Sequence, residues 1–187
     1  MINAALERSI SNLIRLGVIA EVNGPMCRVA SGELLTTLVP WISPTAGDHI
    51  GWIPASVGEQ VVLLCPEGDL ANAIALRGLY SEQYPSPENS PAHCVRLFPD
   101  GARVAYNSDS HALTATLPEG GTVALTADGG LTINGPLTIN GDTSINGGVS
   151  IIGKAEATED MVGGGISLKQ HMHGAVQPGS GNSGPPA

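Results

Sequence analysis

The sequence predicts a mainly β protein in which a small barrel is followed by a fibre built jointly by three chains. A six-residue unit repeats without interruption over residues 131–154, which read LTINGP, LTINGD, TSINGG and VSIIGK. Isoleucine and glycine each recur at every sixth position of this stretch. The composition suits a narrow β-fibre better than a broad core, because the 187 residues include 25 glycines, 14 prolines and only 3% aromatics.

Residues 1–16 are predicted to form an N-terminal amphipathic helix. Apolar residues follow helical spacing at Ile2, Leu6, Ile10, Leu13 and Ile14. Gly17 ends the pattern. Two roles fit such a helix equally well, namely packing on its own domain and acting as a docking or trimerisation helix.

Residues 17–85 are predicted to form an OB-fold, a small closed β-barrel, which is called the collar domain below. Turn-forming clusters separate short apolar stretches, and the pattern predicts strands at residues 17–22, 26–30, 34–39, 50–53, 60–65 and 71–78. OB-folds often bind oligonucleotides through a basic face that carries aromatic side chains. Acidic residues outnumber Arg28 and Arg77 in this stretch, so Trp41 and Trp52 are expected mostly in the core.

Residues 86–121 are predicted to supply connecting strands, and they begin within a Pro- and Ser-rich segment, residues 80–91, which is called the joint below. The sequence Pro99-Asp100-Gly101 is a strong turn signal, and it lies between predicted strands at 95–98 and 103–107. A second predicted pair, at 112–117 and 122–126, flanks residues 118–121 and leads into the repeat.

The repeat is predicted to form an intertwined, trimeric, triple-stranded β-helix over residues 122–168. Within the first unit Leu131 and Ile133 point to one side, Thr132 points to the other, and Asn-Gly makes the turn. A lone chain of such short strands cannot cover its apolar face or its open edges. Three chains around one axis would pair every strand with a neighbour and bring the isoleucines together at the centre.

A rival interpretation is the left-handed β-helix of the trimeric hexapeptide-repeat acyltransferases. That fold winds one chain into coils of three units, so four units would make little more than one coil. The candidate catalytic histidines, His93 and His111, lie outside the repeat without a supporting motif. Together with His49, they are expected to be ordinary surface histidines.

His171 and His173 are the predicted metal ligands. On an extended segment, residues two apart place their side chains on one face, about 6.6 Å from each other. A single chain would then offer only two imidazoles, whereas a threefold axis would gather six of them. Six nitrogen ligands suit an octahedral ion better than tetrahedral zinc, so iron would fit, with nickel or cobalt as substitutes in solution.

Charge and composition argue against several classes of partner and location. The net charge is −9, the only lysines are Lys154 and Lys169, and a nucleic-acid partner is therefore not expected. No secretory signal opens the chain, and no apolar run is long enough for a membrane helix. The odd set of three cysteines is expected to stay reduced in a protein assembled in the bacterial cytoplasm.

Several motifs together resemble the phage baseplate assembly protein V family, the central spikes of contractile tails, which includes the R-type pyocin spikes. They are the collar domain with its Trp41 and Trp52-Ile53-Pro54, the Pro99-Asp100-Gly101 turn, the hexads, and His171-Met172-His173-Gly174 before a Gly/Pro-rich end. The His-x-His motif followed by a Gly/Pro-rich stretch is the most specific of these motifs.

The resemblance implies a homotrimer with an OB collar, a triple-stranded β-helix and an apex at 169–187, where six histidines hold a buried iron ion. It implies a non-enzymatic spike in the tail baseplate of a virion or bacteriocin particle. Such a spike is bound to the tail hub at its N-terminal end and is driven mechanically through the bacterial outer membrane when the sheath contracts. A receptor-binding tail fibre is a further alternative, although it would be expected to end in a larger recognition domain.

Overall fold

The computed structural model describes residues 4–172 and Gly179, and most of these residues lie in strands, turns and extended chain. The described elements are α1 (Ala4–Asn12), β1 (Ile14–Asn23), β2 (Met26–Ser31), β3 (Leu34–Leu35), β4 (Val39–Pro40), β5 (Gln60–Leu64), β6 (Ile74–Leu79), β7 (His93–Leu97), β8 (Arg103–Asn107), β9 (Ala112–Thr116), β10 (Val162–Gly163) and β11 (Ile166–Ser167). Two 3₁₀ turns, Pro66–Gly68 and Leu70–Asn72, join β5 to β6. The prediction of a mainly β protein is confirmed.

The chain divides between Leu125 and Thr126 into two units. The first unit holds the barrel and the connecting strands, and the second holds the repeat and the short hairpin of β10 and β11. Within the described residues, no helix is both long and apolar enough to cross a bilayer.

Five strands of the first unit close into a barrel. Strand β1 pairs antiparallel with β2 on one side and β5 on the other, β5 pairs with β6, and β2 pairs with β4. The ring closes just after β4, where Trp41 forms a parallel bridge with Ala75 of β6. The Ile42 N–H donates to the Ala75 carbonyl at 2.9 Å in the same place. The predicted closed barrel is therefore present.

The barrel interior is small and filled by alternate residues of its strands. Strand β2 shows the period of two clearly, with Cys27, Val29 and Ser31 buried and their neighbours only partly so. The largest fully buried side chains of the core cluster are Ile19, Val29, Val39, Val61 and Leu63. Burial also raises the pKa values of the Cys27 and Cys65 thiols, which favours their neutral form.

Three local expectations differ from the structure. Helix α1 ends at Asn12 rather than at residue 16, and Ile14 already pairs with Leu64 as the first residue of β1. Residues 50–53 and 122–126 form no strand, although Ile50 makes one bridge with Ala46. Trp41 packs against the core as expected, but Trp52 is 60% exposed.

The helix boundary moves because tertiary pairing outweighs the helical spacing of the apolar residues. Residues 14–18 gain five cross-strand partners on β5 by continuing as a strand. The Cys65 N–H also donates to the Leu13 carbonyl at 2.9 Å, which fixes the chain just beyond the helix. A nine-residue helix has little intrinsic stability to set against these contacts.

Strands β7, β8 and β9 form an antiparallel meander next in the chain. Its first turn is the predicted Pro99-Asp100-Gly101. Gly101 adopts a φ of 88°, and the Asp100 carboxylate accepts the Ala102 N–H at 3.0 Å. The Phe98 N–H donates to the Ala102 carbonyl at 2.8 Å and closes the hairpin, so this prediction is confirmed.

Candidate functional site

The backbone of the repeat recurs with the same period as its sequence. The φ angles are 145° at Gly135, 143° at Gly141, 159° at Gly147 and 136° at Gly153. This region of backbone space is essentially restricted to glycine. A Cβ added at any of these four glycines would meet no atom within 4 Å in this chain, so lack of space does not explain them. Glycine is required in each hexad by the backbone conformation.

The repeat leaves its backbone and its apolar side chains without partners from the described chain. Among the described residues, no backbone hydrogen bond within the chain involves residues 131–154. The aliphatic side chains on the predicted inner face are between 54% and 69% exposed: Leu131, Ile133, Leu137, Ile139, Ile145, Val149 and Ile151. Unpaired short strands with uncovered apolar faces are not stable alone in water, which makes the repeat a candidate for pairing with other chains.

A short hairpin follows the repeat and carries the first predicted metal ligand. Strands β10 and β11 join through Gly164 and Gly165, whose φ angles of 59° and 83° suit a two-residue turn. The Asp160 carboxylate accepts the backbone N–H groups of Met161 at 2.8 Å and Lys169 at 3.1 Å. Asp160 therefore ties together the two chain segments that enter and leave the hairpin.

Hydrogen bonds keep the Asp160 side chain ionised. The Ser167 hydroxyl contributes most, and the backbone N–H groups of Lys169 and Met161 add to it, so that the pKa of the Asp160 carboxyl lies below its ordinary value. No local motif marks Asp160 in the sequence, because its partners Met161 and Lys169 lie on opposite sides of the short hairpin.

His171 lies directly after this hairpin, with its ring held by the backbone. Its Nδ1 lies 3.0 Å from the Ser167 carbonyl oxygen and 3.1 Å from that of Leu168. Carbonyl oxygens only accept hydrogen bonds, so Nδ1 carries the proton that it donates to them. Metal-binding histidines commonly donate one ring N–H to a carbonyl in this way.

The second predicted ligand, His173, lies outside the described residues, as does most of the predicted apex at 169–187. Among the residues that the structure describes, no group of three or more His, Cys, Asp or Glu side chains is arranged to hold a metal. One chain in its described part therefore supplies a single imidazole to the candidate site.

Sequence reasoning missed a polar network around His93. Its Nδ1 lies 2.7 Å from Glu88 Oε2, and its Nε2 lies 2.8 Å from the side-chain nitrogen of Asn107. Asn107 Oδ1 in turn accepts the N–H groups of Asp109 and Ser110. These bonds fix the orientation of the amide, so His93 Nε2 accepts a hydrogen bond and Nδ1 donates one to Glu88.

His93 is thus a structural histidine that fastens the joint to the meander, and it is not the isolated surface residue that was expected. The hydrogen bond from His93 and those from the N–H groups of Asn89 and Ser90 lower the pKa of the Glu88 carboxyl to about 2. The spacing of Glu88 and His93 carried no recognisable signal, since Asn107 reaches them only through the β7–β8 pairing.

Comparison with known proteins agrees with this architecture. Residues 15–80 match the family described as the Type VI secretion system/phage-baseplate injector OB domain, so the barrel is an OB-fold. Residues 165–187 match the GpV Apex motif. The chain is also 39% identical over 126 residues to the spike protein of Escherichia phage P2, and this match covers 66% of the chain.

The match spans 59% of the length of the P2 protein, so the chain corresponds to somewhat more than half of that relative. These similarities favour neither an acyltransferase nor a receptor-binding fibre. The chain is thus a relative of a phage spike protein, with a phage-baseplate OB domain at residues 15–80 and a GpV Apex motif at residues 165–187.

Proposed function

We propose that the chain is the homotrimeric central spike of a contractile tail and that it pierces the bacterial outer membrane mechanically when the sheath contracts. The observation that carries this proposal is the repeat, in which one glycine per hexad keeps a φ between 136° and 159° and the 24 residues have no backbone partner in the described part of their own chain. A triple-stranded β-helix supplies those partners from two other copies.

The stability of such a fibre would come largely from its isoleucines. Each chain contributes four, at positions 133, 139, 145 and 151, so that a trimer would bury twelve. At about 1.5–3 kcal/mol for each side chain, the gross gain is roughly 18–36 kcal/mol, an upper bound from which the entropy of ordering must be subtracted. An interchain ladder without a free edge would also resist unzipping under a compressive load.

The tip is proposed to hold an iron ion through His171 and His173 of three chains. The hydrogen bonds from Nδ1 of His171 to two backbone carbonyls support this role, because such an outer contact commonly orients the ring of a metal-binding histidine. The ion would act as a cross-link between three chain ends that would otherwise fray, and no reaction is assigned to it. The Asp160 bonds described above would keep the hairpin in shape beneath it.

The N-terminal end is proposed to dock on the tail hub through α1 and the outer face of β1. The apolar residues Leu6 and Ile10 of α1 are 53% and 55% exposed, while the polar Ser9 and Asn12 are the partly buried ones. On β1, the outward side chains Ile14, Leu16 and Val18 are also exposed. A helix and a strand that both turn aliphatic side chains to water are typical of a surface that another protein covers.

Native mass spectrometry of the untagged protein tests the assembly and the tip together. We expect a trimer of about 57 kDa, three times the chain mass of 19.0 kDa, that carries one transition-metal ion. A monomer would contradict the triple-stranded fibre, and a trimer without metal would contradict the proposed role of the two histidines.

The double substitution His171→Ala/His173→Ala then assigns the ligands. We expect the variant to lose its metal while it remains a trimer, because the hexads hold the chains together independently of the tip. The matched control is His49→Ala/His111→Ala, which removes two histidines from outside the apex and should keep the metal. Retention of metal by the apex variant would show that the site lies elsewhere.

A further inference from the structure

Most of the aromatic side chains of this protein line one groove in the first unit. The groove has a volume of about 510 Å³ and lies between the loop from β4 to β5, the joint and the end of β7. The chain has two tryptophans, three tyrosines and one phenylalanine, and four of these six side chains line the groove: Trp52, Tyr80, Tyr84 and Phe98. They are between 38% and 69% exposed. Such a concentration of solvent-facing rings is typical of a binding surface, which is called the aromatic groove below.

Hydrogen bonds hold the walls of the aromatic groove in place. The Tyr84 hydroxyl donates to the Val57 carbonyl at 2.8 Å, which ties the joint to the loop between β4 and β5. Arg77 donates to two carbonyls of the same loop, at 2.7 Å to Ile53 and at 2.9 Å to Pro54. The groove is therefore preformed, and the protein would lose little conformational entropy when a ligand binds there.

Arg96 gives the aromatic groove a cation without a carboxylate partner. Its guanidinium lies 5.1 Å from the centre of the Phe98 ring, so it stacks on an aromatic wall. None of the ion pairs in the described part of the chain includes Arg96. The other arginine of the groove, Arg77, is already neutralised by Glu59, whose two carboxylate oxygens each accept a hydrogen bond from it at 2.9 Å. The groove therefore complements a ligand that is apolar along its length and acidic where it meets Arg96.

An extended peptide that contains proline fits these features best. Grooves lined by aromatic side chains recognise the polyproline II conformation, whose carbonyl groups have no internal partner and accept hydrogen bonds from the groove. The Trp52 indole N–H and the Tyr80 hydroxyl make no hydrogen bond within the described residues, so both are available to such carbonyls.

Two other classes of ligand fit the aromatic groove less well. A sugar needs acceptors for its hydroxyl groups, but Glu59 supplies the only carboxylate among the described residues of the groove, and Arg77 holds it. A single-stranded nucleic acid needs a track of cations besides stacking partners, whereas the chain has a net charge of −9 and the groove offers Arg96 alone unpaired.

We propose that the aromatic groove binds an extended, proline-containing segment of another protein, with an acidic side chain of that segment paired to Arg96. The volume of the groove lies within the range of about 300–1,000 Å³ that is usual for small-ligand sites, so it accommodates a few residues of the segment rather than a folded domain. Binding at this surface of one chain requires neither the proposed fibre nor the proposed metal at the tip.

A selection from a peptide library tests this binding. The full-length protein would be exposed to displayed short peptides that share a Pro-x-x-Pro core and carry random residues on both sides. We expect enrichment of peptides with an Asp or Glu beside the core, and the affinity of each would be measured by fluorescence anisotropy of the labelled peptide. Replacing that acidic residue with its amide should weaken binding about three- to tenfold, because the charge-assisted contact with Arg96 is lost.

Two substitutions in the groove assign the contacts. Trp52→Ala should weaken the binding of every enriched peptide at least about tenfold, because aromatic anchors carry much of the affinity at such sites. Arg96→Gln should weaken the acidic peptides about three- to tenfold and leave their amide versions unchanged. The matched controls are Ile50→Ala, in the same loop as Trp52 but outside the groove, and Arg28→Gln, which removes a cation from β2. All four side chains are at least partly exposed, so each variant should fold as the parent protein does.

Three results would contradict the proposed ligand. If the full-length protein enriches no peptide, the groove is closed by a second copy or by the chain itself and is not a docking site. If binding survives Trp52→Ala, the peptides bind elsewhere on the protein. If Arg96→Gln weakens an acidic peptide and its amide version equally, the ligand has no acidic group paired to Arg96.

Discussion

At the scale of single residues, Arg77 holds together the part of the barrel that has no regular structure. Its Nε and Nη2 donate to the two carboxylate oxygens of Glu59, each at 2.9 Å. Nη1 and Nη2 also donate to the carbonyls of Ile53 and Pro54. The guanidinium further lies 5.6 Å from the centre of the Trp41 ring. One side chain thus fixes a loop that the strands leave unsupported.

Replacing Arg77 with lysine should therefore destabilise the barrel although the charge is kept. A lysine cannot reproduce the forked pair of bonds to Glu59 and the two carbonyl contacts together, and we expect a loss of about 1–3 kcal/mol. Chemical denaturation followed by tryptophan fluorescence measures this directly, because both tryptophans of the chain lie in the collar domain.

Arg28→Lys is the matched control for Arg77→Lys. Arg28 lies 3.1 Å from Glu21, but the two side chains are 40% and 54% exposed, against 17% and 15% for Arg77 and Glu59. An exposed pair of this kind contributes little, so the control should change stability by less than about 0.5 kcal/mol. Equal effects of the two substitutions would show that the loop contacts of Arg77 do not contribute to the stability of the barrel.

Because of Glu88, the stability that the joint contributes depends on pH in the acid range. Its pKa falls from 4.5 to about 2 in the folded chain, so its contribution to stability is present above about pH 4.5 and is lost as the pH falls towards 2. We expect Glu88→Gln to be less stable than the parent protein at neutral pH, and the difference to shrink towards zero near pH 2. Denaturation curves between pH 2 and pH 7 measure this difference.

The control for Glu88→Gln is Glu119→Gln, which removes one negative charge from the turn after β9. Glu119→Gln should change the free energy of unfolding only slightly, and by the same amount at every pH in this range. A constant difference between Glu88→Gln and the parent protein at every pH would mean that the bonds from His93, Asn89 and Ser90 do not favour the ionised carboxylate.

At the scale of elements, the glycines of the hexads set the shape of the repeat. Substituting Gly141, whose φ is 143°, forces an L residue into a region that costs of order 1–3 kcal/mol for each chain. We expect Gly141→Ala to lower the temperature at which the trimer dissociates, as followed by electrophoresis of heated samples in detergent.

Gly148→Ala is the neighbouring control, because Gly148 has no left-handed φ and an added Cβ there would meet nothing within 4 Å in the chain. It should leave the dissociation temperature nearly unchanged. If both substitutions lowered the temperature equally, the loss would reflect crowding between chains rather than the conformation that Gly141 requires.

The elements also show which parts of the fold can be predicted from the sequence. Strands β2, β5 and β8 were predicted almost to the residue, because each has alternating burial and a turn signal at its ends. The predicted end of α1 was wrong because Ile14 continues the helical spacing of Ile10 and also begins the alternation of Ile14, Leu16 and Val18, and only the pairing with β5 decides between the two.

Features that depend on distant partners were harder to foresee. Residues 50–53 look like a strand in their apolar content, yet no strand forms there, and Arg77 of β6 instead donates to the carbonyls of Ile53 and Pro54. The Glu88–His93–Asn107 network needs the register of β7 on β8, which no local spacing encodes. At the tip, the His-x-His pointed to His171 and His173, whereas the support from Asp160 is visible only in the folded hairpin.

At the scale of the whole molecule, the proposed fibre can form only in an assembly of chains, and one substitution can test whether it does. Ile139 is 58% exposed in the single chain, so a monomer would tolerate Ile139→Asn with little change. In a triple-stranded fibre the same change places three amides at the axis and removes three buried aliphatic groups. The upper-bound cost is about 5–9 kcal/mol per trimer before any unsatisfied amide is counted.

We expect Ile139→Asn to dissociate on dilution under conditions in which the parent protein remains a trimer, as measured by sedimentation velocity over a range of concentrations. Thr138→Asn is the matched control, since Thr138 precedes Ile139 on the alternate face of the same hexad and should remain trimeric. The two substitutions introduce the same side chain one residue apart, so only its direction differs. If both variants dissociated alike, the isoleucines would not form the axis, and the chains would have to associate through another surface.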